Sequence, residues 1–555
     1  MPKRNPWWWR TAFVVGTLLV GSCAPIESSS EVRQAVDGME RATGYRPPWA
    51  ALPEIQELRV DASGVVTLDQ AISLAMTNNR GLRGDLEVIG QAKAELVQAG
   101  LLSNPTFNIL GAMPEGGGRA RLDFGLSKDF ADLWLLPIRV HGAKDVLQQR
   151  ILSFTDSAIA LVTEVRTEYS IAQYQWLAAE LQEQYLKILQ DSMDIAEARL
   201  RAGDATQLDV NLIRSSYLTS QLDLVQFRSD YRVTQRTLLR LMGVARAPDD
   251  WRPESLELTA PLAPLTAEEN ELVELALGQR FDAQAGLNEL EAAMQDLEQQ
   301  KWRVIQSVGI GVGGERVESR ALAGRKILND TVKSSVAAGQ LAAPDIQPRS
   351  ERRSERAREI NLVLGPSLDI PLPIFDQNQA MIAKAWYRAK ELQRRYEETQ
   401  EKVIEGVRTA LTNRRVAEER ARIYHESVLP LQQTNLVLAQ TQYRSGQESI
   451  LTVLLAQGSL ITAQLGYAAA LRDLAVGTAN LERQISGRLS AEQMAPTSQP
   501  TTVPMASRNS EPAYAGSPPF VKVEPVAADE SAPCEEETTE TPERVAESME
   551  PVSPR

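Results

Sequence analysis

The stretches AEARLRAGDATQLDVNLIRSSYLTSQL at residues 196–222 and AQTQYRSGQESILTVLLAQGSLITAQL at residues 439–465 are two copies of one segment. Arg201 and Gly203 in the first copy match Arg444 and Gly446 in the second. The match holds at constant spacing through Thr206 with Ser449, Leu208 with Leu451, Val210 with Val453 and Thr219 with Thr462. In each copy one helical pattern runs into the glycine and another runs out. A duplicated helix–glycine–helix hairpin with long arms predicts a duplicated architecture of helical rods.

The arms are unusually long. No glycine or proline occurs from Ala143 to Ala202, and sixty residues at about 1.5 Å each make a rod of roughly 90 Å. Apolar residues recur along it at helical spacing, among them Leu161, Val165, Leu181 and Leu189. The return helix is expected from Thr206 to Met242. The second copy has a matching pair from Asn378 to Tyr443 and from Ser449 to Ile485, with a kink or break expected at Pro430. Each repeat opens with a shorter helix, around Leu68–Met76 and Glu271–Leu277.

Two alternating segments per repeat lie between the short and long helices. Leu122, Phe124 and Leu126 alternate with Arg121, Asp123 and Ser127, and Leu364, Leu368 and Ile370 alternate with Gly365, Ser367 and Asp369. Val308, Ile310 and Val312 alternate with glycines, and Phe107, Ile109 and Met113 mark a first strand. Period two with one polar face means strands wet on one side. A small soluble sheet packed on the helices satisfies this pattern, and so does a water-filled membrane barrel. Four strands cannot close a barrel, and an open edge is untenable in lipid, so the barrel reading requires several chains. Ala75 pairs with Ala276 at an offset of 201 and Gly203 with Gly446 at 243, so the second copy gained 42 residues between those points. The surplus is placed at 315–360, a charged loop that should face water outside the cell.

The ends carry different signals. Lys3, Arg4 and Arg10 precede an apolar run, Thr11–Val20, too short to span a bilayer. It leads to Val20-Gly21-Ser22-Cys23, which resembles a bacterial lipobox whose cysteine is lipid-modified. An ordinary signal peptide beside an incidental cysteine is the alternative. Residues 24–66 read as an irregular arm, and no later run of about eighteen apolar residues is apparent. After processing only Cys534 remains, so no disulfide forms within the chain. The net charge of −14 argues against nucleic acid as a partner. From 488 to 555 Pro, Ser, Thr and Glu dominate, the composition of a disordered tail.

Lipobox, short helix, strand pair and long hairpin, followed by the same again, resemble the TolC-type outer-membrane efflux channels. The resemblance covers residues 66 to 487. It rests on Leu68-Asp69-Gln70-Ala71 with Asn78-Asn79, on Gln279-Arg280-Phe281-Asp282, and on the passage from Gly365-Pro366-Ser367 to Gln377-Asn378. That passage is similar to outer-membrane lipoproteins serving resistance–nodulation–division (RND) pumps. The implied fold class is α+β, with duplicated helical hairpins and four strands per chain in a twelve-stranded homotrimeric barrel. The implied function is passive export through the outer membrane of small molecules or metal cations. The partners would be a periplasmic adaptor, an inner-membrane RND-type pump and outer-membrane lipid. A channel-less periplasmic scaffold and a type I secretion duct are the alternatives. The implied organisation is a signal peptide (1–22), a lipid-anchored arm (23–66), two repeats (67–245 and 268–487) joined by a linker (246–267), and the tail (488–555).

The resemblance places Arg201, Gly203, Thr206, Asp209, Arg444, Gly446, Ser449, Thr452 and Leu455 at the periplasmic mouth, where the adaptor docks. Glycine permits the left-handed turn that ends a helix. Thr206 and Ser449 are expected to cap the following helices. Asp209 matches an aspartate that the family uses in closing contacts. Thr452 and Leu455 stand where well-studied members carry acids, so an acidic ring at the second tip is absent. No enzyme chemistry, cofactor or bound metal is expected. Gly309-Ile310-Gly311-Val312-Gly313-Gly314 spells a dinucleotide fingerprint but lacks the strand–turn–helix setting. The histidines, His141 and His425, are far apart in sequence.

Overall fold

A computed structural model describes residues 27–47, 64–113, 121–244, 251–258, 264–305, 307–317, 332, 335–339 and 361–489. The signal segment, the lipobox at Cys23, most of the charged loop and the acidic tail lie outside them.

The order is α1 (Ser29–Thr43), β1 (Val65–Val66), α2 (Leu68–Asn78), α3 (Arg80–Ala99), β2 (Thr106–Ala112), β3 (Arg121–Asp129), α4 (Asp132–Ala202) and α5 (Gln207–Leu241). Then follow β4 (Arg252–Pro253), α6 (Glu269–Gln279), α7 (Phe281–Trp302), β5 (Gly309–Val317), β6 (Asn361–Asp369), α8 (Gln379–Ile423), α9 (Leu429–Arg444) and α10 (Ile450–Gln484). The last helix of each repeat is 35 residues long.

Several expectations change. The arm is not irregular throughout, because Val32, Ala35, Val36, Met39 and Ala42 form one helical stripe, and α1 buries most of it in the main core. α4 starts eleven residues before Ala143, takes in Pro137 and Gly142, and at 71 residues is about 105 Å long. Each repeat holds a second helix before its strands, α3 and α7. The break before it is one extended residue, Asn79 at φ −62°, ψ 117° and Arg280 at φ −63°, ψ 124°. Each breaker ties back to the end of its own repeat. The Asn79 side chain donates to Leu241 O at 3.0 Å, and Arg280 donates to the Gln484 side chain.

Pro430 does not break the second arm. The chain stays helical through a π turn, Tyr424–Val428, closed by the Leu429 N–H donating to Tyr424 O. A proline has no N–H for the carbonyl one turn back, and the wider turn absorbs the mismatch. α10 corrects another expectation, since by length and composition it could cross a bilayer. It lies instead against α4, α8 and α9, burying Val453, Ile461, Tyr467, Ala468 and Leu481.

The segment between the repeats is built in. β4 pairs in parallel with β1, and Trp251 is 1% exposed in the main core. Tyr169 of α4 donates to Val66 O at 2.8 Å and accepts from Glu254 N–H at 3.0 Å. Burial pushes its phenol up to about 12.

The four long strands make one antiparallel meander, β2-β3-β5-β6. The register puts Phe107, Ile109, Leu122, Phe124, Leu126, Ile310, Val312, Pro366, Leu364 and Leu368 on one face. Asn108, Asp123, Gly125, Ser127, Gly311, Gly313, Glu315, Gly365 and Ser367 share the other. The fingerprint-like glycines are therefore strand residues. Gly309, Gly311 and Gly313 lie on the polar face, whereas Gly314 lies on the apolar face, where the Phe124 ring fills the space a Cβ would need. Glu315 to Val317 belong to β5, so the inserted loop begins later than expected.

Candidate functional site: the paired hairpin tips

α4 packs on α5 and on α10, and α10 packs on α8 and α9. The two hairpins thus lie side by side with their tips at the same end. Both turns have one construction. Gly203 at φ +85° donates its N–H to Leu200 O, and the next N–H reaches Arg199 O at 2.9 Å. Gly446 at φ +74° donates to Tyr443 O, and Gln447 N–H reaches Gln442 O at 2.9 Å. These paired bonds, with a left-handed residue after the last turn, satisfy carbonyls that the helix end would orphan. Arg201 and Arg444 stand exposed in the last turns, where positive charge complements the helix dipole.

The tips differ in how the next helix starts. Asp209 N–H donates to Thr206 Oγ1 at 3.2 Å, and Asp209 Oδ2 accepts from Thr206 N–H at 2.9 Å and from Thr206 Oγ1–H at 2.8 Å. This reciprocal box occupies the Asp209 carboxylate, and the Thr206 donors hold its pKa below the usual carboxylate value. Ser449 corrects an expectation, because it sits at the N-cap with extended backbone but its side chain makes no capping bond. No acid stands three residues on. Thr452 turns back and its Oγ1–H donates to Glu448 Oε2 at 2.9 Å. Leu455 is 65% exposed and lines a cleft of about 710 Å³ between the hairpins. Serine and threonine from α5 and α10 line it too, including Ser216, Thr219 and Thr462.

Residues not singled out in the sequence join the tips. Arg199 Nη1 donates to the Tyr443 hydroxyl at 3.2 Å, and its guanidinium lies 5.8 Å from that ring's centroid. Leu454 of α10 is buried with Leu189, Ala196, Val210 and Ile213 of the first hairpin. The duplication signals this only obliquely. Positions 199 and 200 align with Gln442 and Tyr443, so the bridge forms where the copies diverge. Among the described residues no group of three or more His, Cys, Asp or Glu is arranged to hold a metal ion.

The chain resembles known proteins over most of its length. It is 22% identical over 461 residues to the Nodulation protein T of Rhizobium leguminosarum bv. viciae, covering 81% of this chain and 88% of that one. Its fold is similar to that of CusC, with a TM-score of 0.56 and 19% identity over 80% of this chain and 98% of that chain. The MtrE outer membrane channel of Neisseria gonorrhoeae superposes with a TM-score of 0.56 at 16% identity, covering 80% and 97%. VceC of Vibrio cholerae gives 0.57 at 15% identity, covering 76% and 96%. The family model described as outer membrane efflux protein matches residues 139–244 and 272–487, more than half of the sequence. The chain belongs to the outer membrane efflux protein family: it is a TolC-type outer-membrane channel protein and not an enzyme.

Proposed function

We propose that three copies of this chain close their sheets into one twelve-stranded barrel and their helices into one tunnel. The assembly would be the passive outer-membrane duct of a tripartite efflux system, with an adaptor and an RND-type pump supplying substrate and energy. One observation carries this reading: the meander is open. Among the described residues β2 and β6 pair on one side only, and one sheet face carries apolar residues on all four strands, with charge only near its two ends, at Lys128 and Arg316. Such a sheet is stable in lipid only when other copies cap its edges. The edge helices agree. Leu208, Leu218, Leu222, Val225 and Val233 of α5 and Leu431, Val437 and Leu438 of α9 are more than half exposed, as faces awaiting a neighbour would be.

The tips are the adaptor-docking mouth in this reading, with Gly203 and Gly446 setting their shape. Lipid modification at Cys23 would anchor the arm. Asp209 serves first as a helix cap, so a closing role would come at the expense of that box. The smooth tunnel assigns no substrate, and metal cations and organic molecules both fit a duct that does no chemistry.

Planar-bilayer recording of the purified protein, with its mass in detergent, tests the reading. Stepwise conductance from a trimer is the expected result. A monomeric, non-conducting protein released from membranes by a salt wash would overturn it.

A further inference from the structure

The polar face of the sheet is not uniform. One rung joins Asn108, Gly125, Gly313 and Gly365, three glycines and one short amide. The rung below it joins Thr106, Ser127, Gly311 and Ser367, all small and uncharged. The rung above it joins Leu110, Asp123, Glu315 and Val363, so two carboxylates face each other directly across β3 and β5. Arg121, two residues along β3 on the same face, bridges both. Its Nε lies 3.2 Å from Asp123 Oδ1 and its Nη2 lies 2.6 Å from Glu315 Oε1. All three side chains are 30–57% exposed, so they meet water. Two acids and one guanidinium leave a formal charge of −1 per chain.

We infer that Arg121, Asp123 and Glu315 form the charge filter of the duct, repeated once per chain at one level of the barrel. The inference rests on the trimeric-channel reading above. The glycine rung brings no bulk to the lumen, and the charged rung beside it is where long side chains project. Rings of charged side chains set ion preference in wide pores. At the second tip Thr452 and Leu455 bring no acid, and the charges there are Arg444 and Glu448, the latter bonded to Thr452. The filter is placed in the barrel, with Arg121 moderating an otherwise doubly acidic rung; Asp129 and Asp369 share the polar face at the opposite end of the sheet, where Asp129 Oδ1 accepts from the Ala131 and Val308 N–H groups.

Reversal potentials across a KCl gradient test this on the full chain in planar bilayers. The wild type is expected to prefer K⁺. At about 0.1 M salt, where the screening length is about 10 Å, Arg121→Gln should raise the K⁺-to-Cl⁻ permeability ratio at least about twofold. The near-isosteric Asp123→Asn/Glu315→Gln double variant should lower it at least about twofold. Arg121→Lys, which keeps the charge, should restore the wild-type ratio. All differences should shrink at about 1 M salt, where the screening length is about 3 Å; a merely structural role would not produce that. Should Arg121→Gln fail to assemble, the double variant decides alone. Conducting channels whose ratio is unchanged in the assembled variants would overturn the filter. A wild-type protein that does not conduct would remove the channel reading itself.

Discussion

Replacing Gly203 and Gly243 by alanine separates two demands on glycine. Both have positive φ, +85° and +66°, and both end a long helix. Their surroundings differ. A Cβ on Gly203 meets nothing within 4 Å, whereas on Gly243 it falls 2.5 Å from the backbone carbon and oxygen of Asn78. Gly203→Ala should therefore cost only the left-handed penalty, about 1–2 kcal/mol. Gly243→Ala adds an overlap with backbone that cannot rotate away. Overpacking of that kind costs about 1–3 kcal/mol more, giving about 2–5 kcal/mol in all. The assay is the apparent melting temperature of purified protein in detergent at one scan rate, since such proteins unfold irreversibly. Gly243→Ala should melt clearly lower than Gly203→Ala. Equal shifts, or a larger shift for Gly203→Ala, would refute the reasoning. An export assay on the same strains adds a second reading. A Gly203 variant that melts near the wild type yet loses export would assign that loss to the mouth and not to folding.

Ser486 is the counterpart of Gly243 at the repeat offset and holds φ +49° without being glycine. Ser486→Gly should stabilise the protein by about 1 kcal/mol, checked by the same melting experiment. Tyr467 is fully buried, and its hydroxyl lacks a hydrogen-bond partner. Tyr467→Phe should be neutral or stabilising by about 1 kcal/mol, and a marked loss would show that the hydroxyl is satisfied. Thr206→Ala should cost about 1 kcal/mol of cap stability, seen as faster hydrogen exchange at the start of α5. Because the Asp209 pKa is depressed, its contribution is complete above the usual 3.8 and is lost as pH falls below that. The difference in melting between the wild type and Asp209→Ala should therefore be present at pH 7 and fade in acid.

The sequence by itself determined the duplication, the course of the rods and the strand faces, although not where the first rod begins. Helical and two-residue periods are local, and the match of residues 196–222 with 439–465 needs no contact to be read. The tertiary structure decided what periodicity cannot carry. Asn79 and Arg280 break their helices because each ties to the far end of its own repeat. Ser449 makes no side-chain cap because the Thr452 N–H donates to the Ser449 backbone carbonyl at 3.2 Å, a choice between near-equal local acceptors. Pro430 sits in a continuous arm because a π turn absorbs the missing donor. The Arg199–Tyr443 bridge, and the meeting of Glu315 with Arg121 and Asp123, join residues that are adjacent only after the hairpins pack and the strands register. A chain sequence encodes which face of an element is apolar. Which side chains meet across two elements depends on register and packing, and those exist only in the folded whole.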